Sequence, residues 1–325
     1  MKQFLIIQTA FLGDVILCTP VISELKRIYP EASIDVVVRK GNEGLLKNNP
    51  KIRKIIIWDK KNGKYKSLLK TISEIRQEKY TEVINLQRYF SAALMCLRAR
   101  STAKTGFDKN VLGIIYSKKI VHDLEKGEHE VERNLKTIAH HGAKPLIRPE
   151  LFPSKEDFEK VNIYKKEDYY CLAPASVWET KKLPYKKWLE LIDLIKNKGR
   201  IYLIGGAADI ELCSSLKKDS RTEIVNLAGK LGLLESAALM RDAKMNFVND
   251  SGPLHLSSAM NAPTRAFFCS TVEKFGFGPL SEDGKIVEID YDLYCRPCGI
   301  HGYKKCPEGH FKCGEEIKIH SDILH

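Results

Sequence analysis

Long apolar runs, internal repeats, low-complexity segments and the common nucleotide-binding fingerprints are all missing from this sequence of 325 residues. No stretch reaches the roughly 18 apolar residues that a membrane-spanning helix needs, so we expect none. The apolar segment 1–20 contains Asp14 and is followed by no small-residue cleavage site, so we expect a first strand and helix and a cytoplasmic protein. The absence of G-x-G-x-x-G and G-x-x-x-x-G-K-[ST] argues against a dinucleotide fingerprint and a phosphate loop.

Acidic residues are scarce in the first half of the chain. Residues 1–150 contain 28 Lys+Arg and 16 Asp+Glu, whereas residues 151–325 contain 25 of each, so the net charge of +12 belongs to the first half. A basic half favours an anionic partner such as nucleic acid, acidic lipid or a phosphorylated substrate, although a merely soluble basic surface is an alternative. Aromatic residues do not alternate with the basic clusters and no nucleic-acid-binding module is visible, so we expect no nucleic-acid partner.

Short β-like runs alternate with helical patterns throughout the chain. Pro145, Pro149 and Pro153 interrupt this alternation at residues 144–154, which predicts a domain boundary near residue 150. Strict alternation implies parallel sheets covered by helices. We therefore predict an α/β protein with two facing Rossmann-like domains, 1–150 and 151–325, and a cleft between them. The predicted strands are 4–8, 33–38, 55–58, 82–86, 170–173, 200–204, 223–227, 245–249 and 264–268. The predicted helices are 15–29, 65–77, 89–100, 130–141, 184–197 and 208–217, and Pro20 is expected to kink or interrupt the first of them.

Gly13 and Asp14 follow the first predicted strand, where a parallel sheet binds its ligands. Glycine permits a tight turn and close approach of a ligand. Asp14 is interpreted either as a helix N-cap or as a general base directed into the cleft.

Three further strand ends in the second half carry polar residues. In A-P-A-S-V-W-E-T-K-K-L-P, the hydroxyls and cations suit a pyrophosphate, although a solvated loop is equally compatible. In I-G-G-A-A-D, Asp209 is a candidate for ribose contacts, but a plain strand–helix turn explains the segment better. N-D-S-G-P-L-H joins a strand to a helix start and predicts an anion site. The candidate donor-binding residues are Gly13, Ser176, Thr180, Lys181, Gly205, Gly206, Asp209, Asp250, Ser251, Gly252, Pro253, Leu254 and His255.

Four of the nine cysteines lie within 19 residues, with the spacing C-x2-C-x7-C-x6-C. Four thiolates at such spacing indicate a structural zinc or iron site, and a reduced metal-free loop is the alternative. The candidate ligands are Cys295, Cys298, Cys306 and Cys313.

Together these segments resemble glycosyltransferase family 9, the bacterial lipopolysaccharide heptosyltransferases, over nearly the whole chain. The likeness rests on G-D-V-I-L-C-T-P-V-I-S-E-L-K, T-K-K-L-P, L-I-G-G-A-A-D, N-L-A-G-K and N-D-S-G-P-L-H in this order, and on the cysteine run. It implies a GT-B fold that binds the acceptor on the first domain and the nucleotide sugar on the second.

The resemblance also implies an inverting transfer from ADP-L-glycero-D-manno-heptose to the lipopolysaccharide inner core, with a lipid A–Kdo acceptor and no required cofactor. Asp14 matches the family's catalytic base, Lys181 its phosphate-neutralising lysine and Ser176 a phosphate-contacting hydroxyl. Asp250, with the backbone of Ser251–Leu254, matches the donor-binding loop. A lipid acceptor implies transient contact with the cytoplasmic face of the inner membrane.

Two positions depart from the family pattern. Leu183 stands where the family often has tryptophan, and Ala208 stands where some members have a donor-binding glutamate. Donor and acceptor identity are therefore open to another sugar, another glycan or a protein acceptor. A non-catalytic nucleic-acid-binding protein is a further, weaker alternative. His129 and Arg133, four residues apart on a predicted helix, are candidate acceptor-binding residues.

Overall fold

The computed structural model describes residues 1–324. The chain divides into two compact units, Met1–Phe152 and Pro153–His325. Each unit contains one six-stranded sheet in which every strand pair is parallel. The expected α/β class with parallel sheets is confirmed. Among the described residues, no helix has the length and apolar character that crossing a membrane requires.

The first unit has the strand order β3-β2-β1-β4-β5-β6. Its chain order reverses between β1 and β4, which is the topological switch point where open parallel sheets bind ligands. Its elements are β1 Gln3–Ile7, α1 Leu12–Leu17, α2 Thr19–Ile28, β2 Ser33–Arg39, β3 Lys54–Trp58, α3 Lys64–Ile75, β4 Lys79–Asn85, α4 Phe90–Arg98, β5 Arg100–Phe107, β6 Lys118–Ile120 and α5 Glu130–Lys136.

The second unit repeats this arrangement with the order β12-β11-β10-β7-β8-β9, so its switch point lies between β7 and β10. Its elements are α6 Lys155–Val161, β7 Tyr169–Ala173, α7 Tyr185–Ile195, β8 Arg200–Leu203, α8 Ile210–Asp219, β9 Ile224–Asn226, α9 Leu233–Arg241, β10 Met245–Asn249, α10 Gly252–Ala259, β11 Thr264–Phe267, β12 Gly284–Val287 and α11 Lys312–Glu315.

Each sheet carries its own apolar core. In the first unit, Leu5 and Ile7 of β1 pack with Val37, Val83 and other fully buried side chains. In the second unit, the sheet packs against Trp188 of α7, which meets the ring of Phe267 edge-on with ring centroids 5.4 Å apart. Central strands such as β1 and β7 are nearly continuous apolar runs, because helices cover both faces of a parallel sheet.

The helix predicted over 15–29, with a kink or interruption at Pro20, is interrupted in the structure and begins earlier than predicted. It forms two helices, α1 and α2, that meet at Cys18, and Pro20 is in the first turn of α2. Proline is tolerated there because the amide hydrogens of a first helical turn have no partner within the helix. The early start of α1 at Leu12 brings Asp14 into its first turn.

Candidate active site

Asp14 lies at the switch point of the first sheet, shortly after β1 and in the first turn of α1. Its Oδ2 accepts a hydrogen bond from the Phe11 amide at 3.1 Å, so the carboxylate caps the helix. Gly13 was expected to form a tight turn, but it lies inside the first turn of α1. The capping contact and a catalytic role are compatible, because one carboxylate oxygen suffices for the cap.

The environment of Asp14 favours its protonated form. Burial, and secondarily the negative charge of Glu130, raise the pKa of Asp14 to about 7; the Phe11 amide and the Arg39 guanidinium act in the opposite direction. A carboxylate with a pKa near the working pH can accept a proton from a hydroxyl and still be ionised in a large fraction of molecules. Asp14 therefore has the electrostatic properties of a general base.

Glu130 belongs to a charged cluster at the start of α5. Its Oε2 accepts from Arg133 Nε at 2.8 Å and lies 3.2 Å from His122 Nε2. These partners keep the pKa of Glu130 below its usual range although burial acts to raise it. The cluster holds a buried negative charge near Asp14, and sequence reasoning missed this role of Glu130.

The two residues predicted to bind the acceptor make contacts within the first unit. The Arg133 side chain is fully buried and pairs with Glu130 and the Glu128 carbonyl, so it does not face a ligand. His129 is the N-cap of α5, and its Nδ1 accepts from the Val131 amide at 3.1 Å. Both residues support the helix that carries Glu130.

Lys181 and Asp250 meet at the switch point of the second sheet. Lys181 ends a short 3₁₀ helix, Glu179–Lys181, in the loop after β7, and Asp250 follows β10 directly. The Lys181 Nζ lies 2.6 Å from the Asp250 Oδ2, which also accepts from Thr271 Oγ1 at 2.7 Å. The lysine side chain is 14% exposed, which leaves its ammonium a route to a ligand.

Thr180 does not have the ligand-binding role expected of it. Its side chain is buried, and its Oγ1 accepts from Ser270 Oγ at 3.0 Å and from the Tyr303 amide at 2.8 Å. It therefore links the β7 loop to the loops after β11 and in the cysteine run. Ser176 is half-buried in the loop between β7 and the Lys181 turn.

The turn from Asn249 to His255 leads from β10 into α10. Asn249 fixes it, because its Oδ1 accepts from the Leu183 amide at 2.9 Å and its Nδ2 donates to the Pro174 carbonyl at 2.9 Å. Ser251 is the N-cap residue, Gly252 begins the helix and Pro253 is its second residue. The side chains of Leu254 and His255 are buried. The turn thus offers a carboxylate and the positive end of a helix, whereas the last two side chains support it from within.

The turn at Gly205, Gly206 and Asp209 matches the simpler of its two interpretations. Asp209 Oδ2 accepts from the Gly206 amide at 2.8 Å and so caps the helical segment that follows. A side chain at Gly205 would meet Asp209 atoms at 2.9 Å, which explains the glycine. The Asp209 carboxylate is therefore used within the turn.

The cysteine run does not form the expected four-thiolate site. Cys295, Cys298, Cys306 and Cys313 are free thiols, and Cys298 Sγ contacts the Cys295 carbonyl at 3.1 Å. Within residues 1–324, three metal-ligating atoms approach within 4.8 Å of one another only at Glu82, His140 and His141. Cys313 packs into the apolar core of the second unit, and its thiol is buried.

Thr271 is a second site residue that sequence reasoning missed. It follows β11, the strand next to β10, so its hydroxyl lies at the same edge of the sheet as Asp250. A polar residue soon after a buried strand was the available signal. Only the pairing of β11 with β10 shows that Thr271 lies beside Asp250, and strand pairing cannot be read from the sequence.

This chain is similar to known glycosyltransferases. The model of glycosyltransferase family 9 (heptosyltransferase) matches residues 68–305. Lipopolysaccharide heptosyltransferase 3 of Escherichia coli K12 is 30% identical over 280 residues, covering 81% of each chain. Lipooligosaccharide heptosyltransferase 2 of Campylobacter jejuni is 26% identical over 324 residues, covering 98% of this chain and 95% of the relative.

Two solved structures share the fold. A family 9 glycosyltransferase from Veillonella parvula matches with a TM-score of 0.80 at 21% identity, covering 88% of this chain and 85% of its own. ADP-heptose LPS heptosyltransferase II of E. coli matches with a TM-score of 0.78 at 22% identity, covering 100% and 98%. These matches and the two parallel sheets confirm the expected GT-B fold class.

Proposed function

Because this chain belongs to glycosyltransferase family 9, the heptosyltransferases, we propose that it transfers a heptose from an ADP-activated donor to the lipopolysaccharide inner core. The observation that carries the mechanism is Asp14 at the first switch point with a pKa of about 7. A hydroxyl nucleophile needs a base that is ionised at neutral pH and still basic enough to take a proton.

In the proposed reaction, Asp14 takes the proton of the acceptor hydroxyl as its oxygen attacks the anomeric carbon. The bond from that carbon to the β-phosphate oxygen breaks at the same time, so ADP departs with the electron pair and the configuration inverts. No cofactor takes part in these steps.

The second unit binds the donor in this proposal. Lys181 neutralises the diphosphate, and Asp250 with Thr271 keeps the ammonium in position. The start of α10 adds the partial positive charge of a helix N-terminus, which stabilises the departing ADP. The residues of this site are Lys181, Ser176, Asp250 and the backbone of Ser251–Leu254.

The first unit binds the acceptor. The charge distribution supports this assignment, since residues 1–150 carry the entire net charge of +12 and a phosphorylated lipid is anionic.

The decisive experiment incubates the purified protein with ADP-L-glycero-D-manno-heptose and a lipid A–Kdo acceptor and follows the product mass. A mass increase of one heptose supports the proposal. Transfer from a different nucleotide sugar, or to a different acceptor, would support the broader glycosyltransferase function instead.

We further propose that transfer takes place at the cytoplasmic face of the inner membrane. The loops after β4 and β5 are joined by a hydrogen bond from Asn110 Nδ2 to the Gln87 carbonyl at 2.7 Å. Apolar side chains beside basic ones suit insertion into an anionic lipid surface. The exposed side chains of the two loops include Arg88, Tyr89, Phe90, Lys109, Val111 and Ile114.

Sedimentation with vesicles tests this contact. Binding to phosphatidylglycerol-containing vesicles, no binding to phosphatidylcholine vesicles, and loss of binding in Phe90→Ser/Ile114→Ser are expected. Equal binding by the variant would exclude these loops as the contact.

We also propose that the cysteine run binds a structural zinc or iron ion. The four cysteines lie within 19 residues of one another in the chain, and Cys298 Sγ contacts the Cys295 carbonyl at 3.1 Å. A bound metal ion would draw them together and stabilise the segment by replacing protons on the sulfurs. Elemental analysis of the purified protein and of Cys298→Ser tests this, and equal metal content in the two would exclude the run as the site.

A further inference from the structure

A second cluster of ligating side chains lies in the first unit, and neither the transfer mechanism nor the cysteine run uses it. Glu82 of β4 is buried, and its Oε2 lies 3.1 Å from His140 Nε2 and 2.7 Å from His141 Nε2. The three ligand atoms lie within 4.8 Å of one another. The two imidazoles come from the short 3₁₀ helix Ala139–His141 that follows α5.

We propose that Glu82, His140 and His141 form a binding site for one divalent transition-metal ion of the zinc type. Zinc binds imidazole nitrogen and carboxylate oxygen at about 2.0–2.2 Å, which places neighbouring ligand atoms of a tetrahedral site about 3.3 Å apart. The observed separations of 3.1 and 2.7 Å require only a small outward movement of the imidazoles. Two imidazoles and one carboxylate leave the fourth position to water.

The groups around the three ligands are arranged to orient them. Thr105 Oγ1 donates to Glu82 Oε1, which leaves Oε2 for the metal. Tyr29 OH lies 3.1 Å from His141 Nδ1 and can accept a hydrogen bond from the Nδ1–H group when Nε2 binds a metal. Hydrogen bonds of this kind fix the tautomer and direction of ligating side chains in metal sites. An accidental contact of two histidines with a glutamate does not require such partners.

The site is accessible to solvent. The His140 side chain is 23% exposed and that of His141 11%, so an ion can enter from solvent. Lys2 is the nearby cation, with its Nζ 3.7 Å above the Tyr29 ring, and Glu82 supplies the compensating negative charge.

The position of the cluster indicates a structural role. Glu82 pairs with Phe4 of β1, three residues before the last pair of these strands, Ile7 and Asn85. Glu82 therefore lies about 10 Å from the ligand-binding edge of the sheet.

A metal would connect β4 to the end of the α5 segment. α5 carries Glu130, and its Asn134 Nδ2 donates to the Leu17 carbonyl of α1 at 3.1 Å. Metal binding would thus stabilise the helix that faces Asp14 without taking part in transfer.

Metal titration of the full chain at pH 7.5 tests the proposal. Wild type and His320→Gln, which changes an exposed histidine of the second unit, should each bind one more equivalent of Zn²⁺ than His140→Gln. Zn²⁺ should raise the unfolding temperature of wild type and His320→Gln by several degrees. In His140→Gln any rise that remains should be smaller. Equal stoichiometry and equal shifts in all three proteins would overturn the proposal.

A replacement ligand and a spectroscopic probe separate this site from the cysteine run. His140→Cys should keep the equivalent that His140→Gln loses, because thiolate also binds zinc. With Co²⁺, His140→Cys should gain an additional sulfur-to-metal charge-transfer band over wild type. Retention of the equivalent without a gain in that band would show that residue 140 does not ligate the metal.

Discussion

The Nζ of Lys181 lies 2.6 Å from Oδ2 of Asp250, although 69 positions separate the two residues in the chain. Lys181 comes from the loop after β7 and Asp250 from the end of β10, and these strands are neighbours at the switch point of the second sheet. Both side chains are largely buried, so the pair is poorly screened by solvent. A diphosphate that approaches this edge meets an ammonium already held in position.

Lys181→Ala should weaken ADP binding by about 10–100-fold, the range expected for loss of a charged hydrogen bond. Calorimetric titration with ADP measures this. Lys182→Ala is the matched control, since Lys182 is the next residue and pairs with Glu179. Its ADP affinity should stay within a factor of about two of wild type. Equal losses in both variants would show a general charge effect and remove the specific role of Lys181.

Asp14→Ala should lower kcat by about 10²–10⁴-fold, because the acceptor hydroxyl loses its base. ADP affinity, measured by the same titration, should be unchanged, since the proposed donor-binding residues belong to the second unit. A variant that turns over at the wild-type rate would remove Asp14 as the base.

The acid limb of kcat/KM should lie near pH 7, with activity rising as Asp14 ionises. The Glu130 charge raises the pKa of Asp14 and the Arg39 guanidinium lowers it. Glu130→Gln should therefore move the limb to lower pH and Arg39→Gln to higher pH. The two variants shift the acid limb in opposite directions, so a general loss of structure cannot produce both shifts. If both variants are folded and the acid limb does not move, a group other than Asp14 sets it.

Asp14→Asn should be more stable than wild type at pH 8. The pKa of Asp14 is raised from 3.8 to about 7 in the folded protein, so the folded state holds a proton that the unfolded state loses. Stability from this proton is fully present below pH 3.8 and is lost as pH rises through about 7. The difference in unfolding temperature between variant and wild type should shrink as pH falls from 8 towards 4. A constant difference would show that ionisation of Asp14 does not cost stability.

Arg133→Met should destabilise the first unit by about 3–5 kcal/mol, because the buried Glu130 would lose its cation. Denaturant unfolding measures the loss. In the fraction that remains folded, KM for the acceptor should be unchanged, since Arg133 is fully buried. A raised acceptor KM with normal stability would instead support the acceptor contact expected from the sequence.

Several elements escaped sequence-based prediction for identifiable reasons. β5, R-S-T-A-K-T-G-F, is too polar to read as a buried strand; it forms because it pairs on both sides, with β4 and β6. The helical pattern over 130–141 breaks after Lys136 into the 3₁₀ turn Ala139–His141. Gly142 then ends the segment with a φ of 88°, in the left-handed region, as its identity had indicated.

The sequence alone determined the alternation of strands and helices, the family motifs and the residue types at each strand end. These are local properties, set by hydrophobic period and turn chemistry. Which strand ends adjoin is decided by sheet order, and only the tertiary structure brought Thr271 to Asp250 and Glu130 near Asp14. Burial decided the roles of three further residues. Arg133 and Thr180 are buried and contact other protein groups, and desolvation raises the pKa of Asp14. Sequence alone does not show these effects, because desolvation depends on neighbours that are distant in the chain.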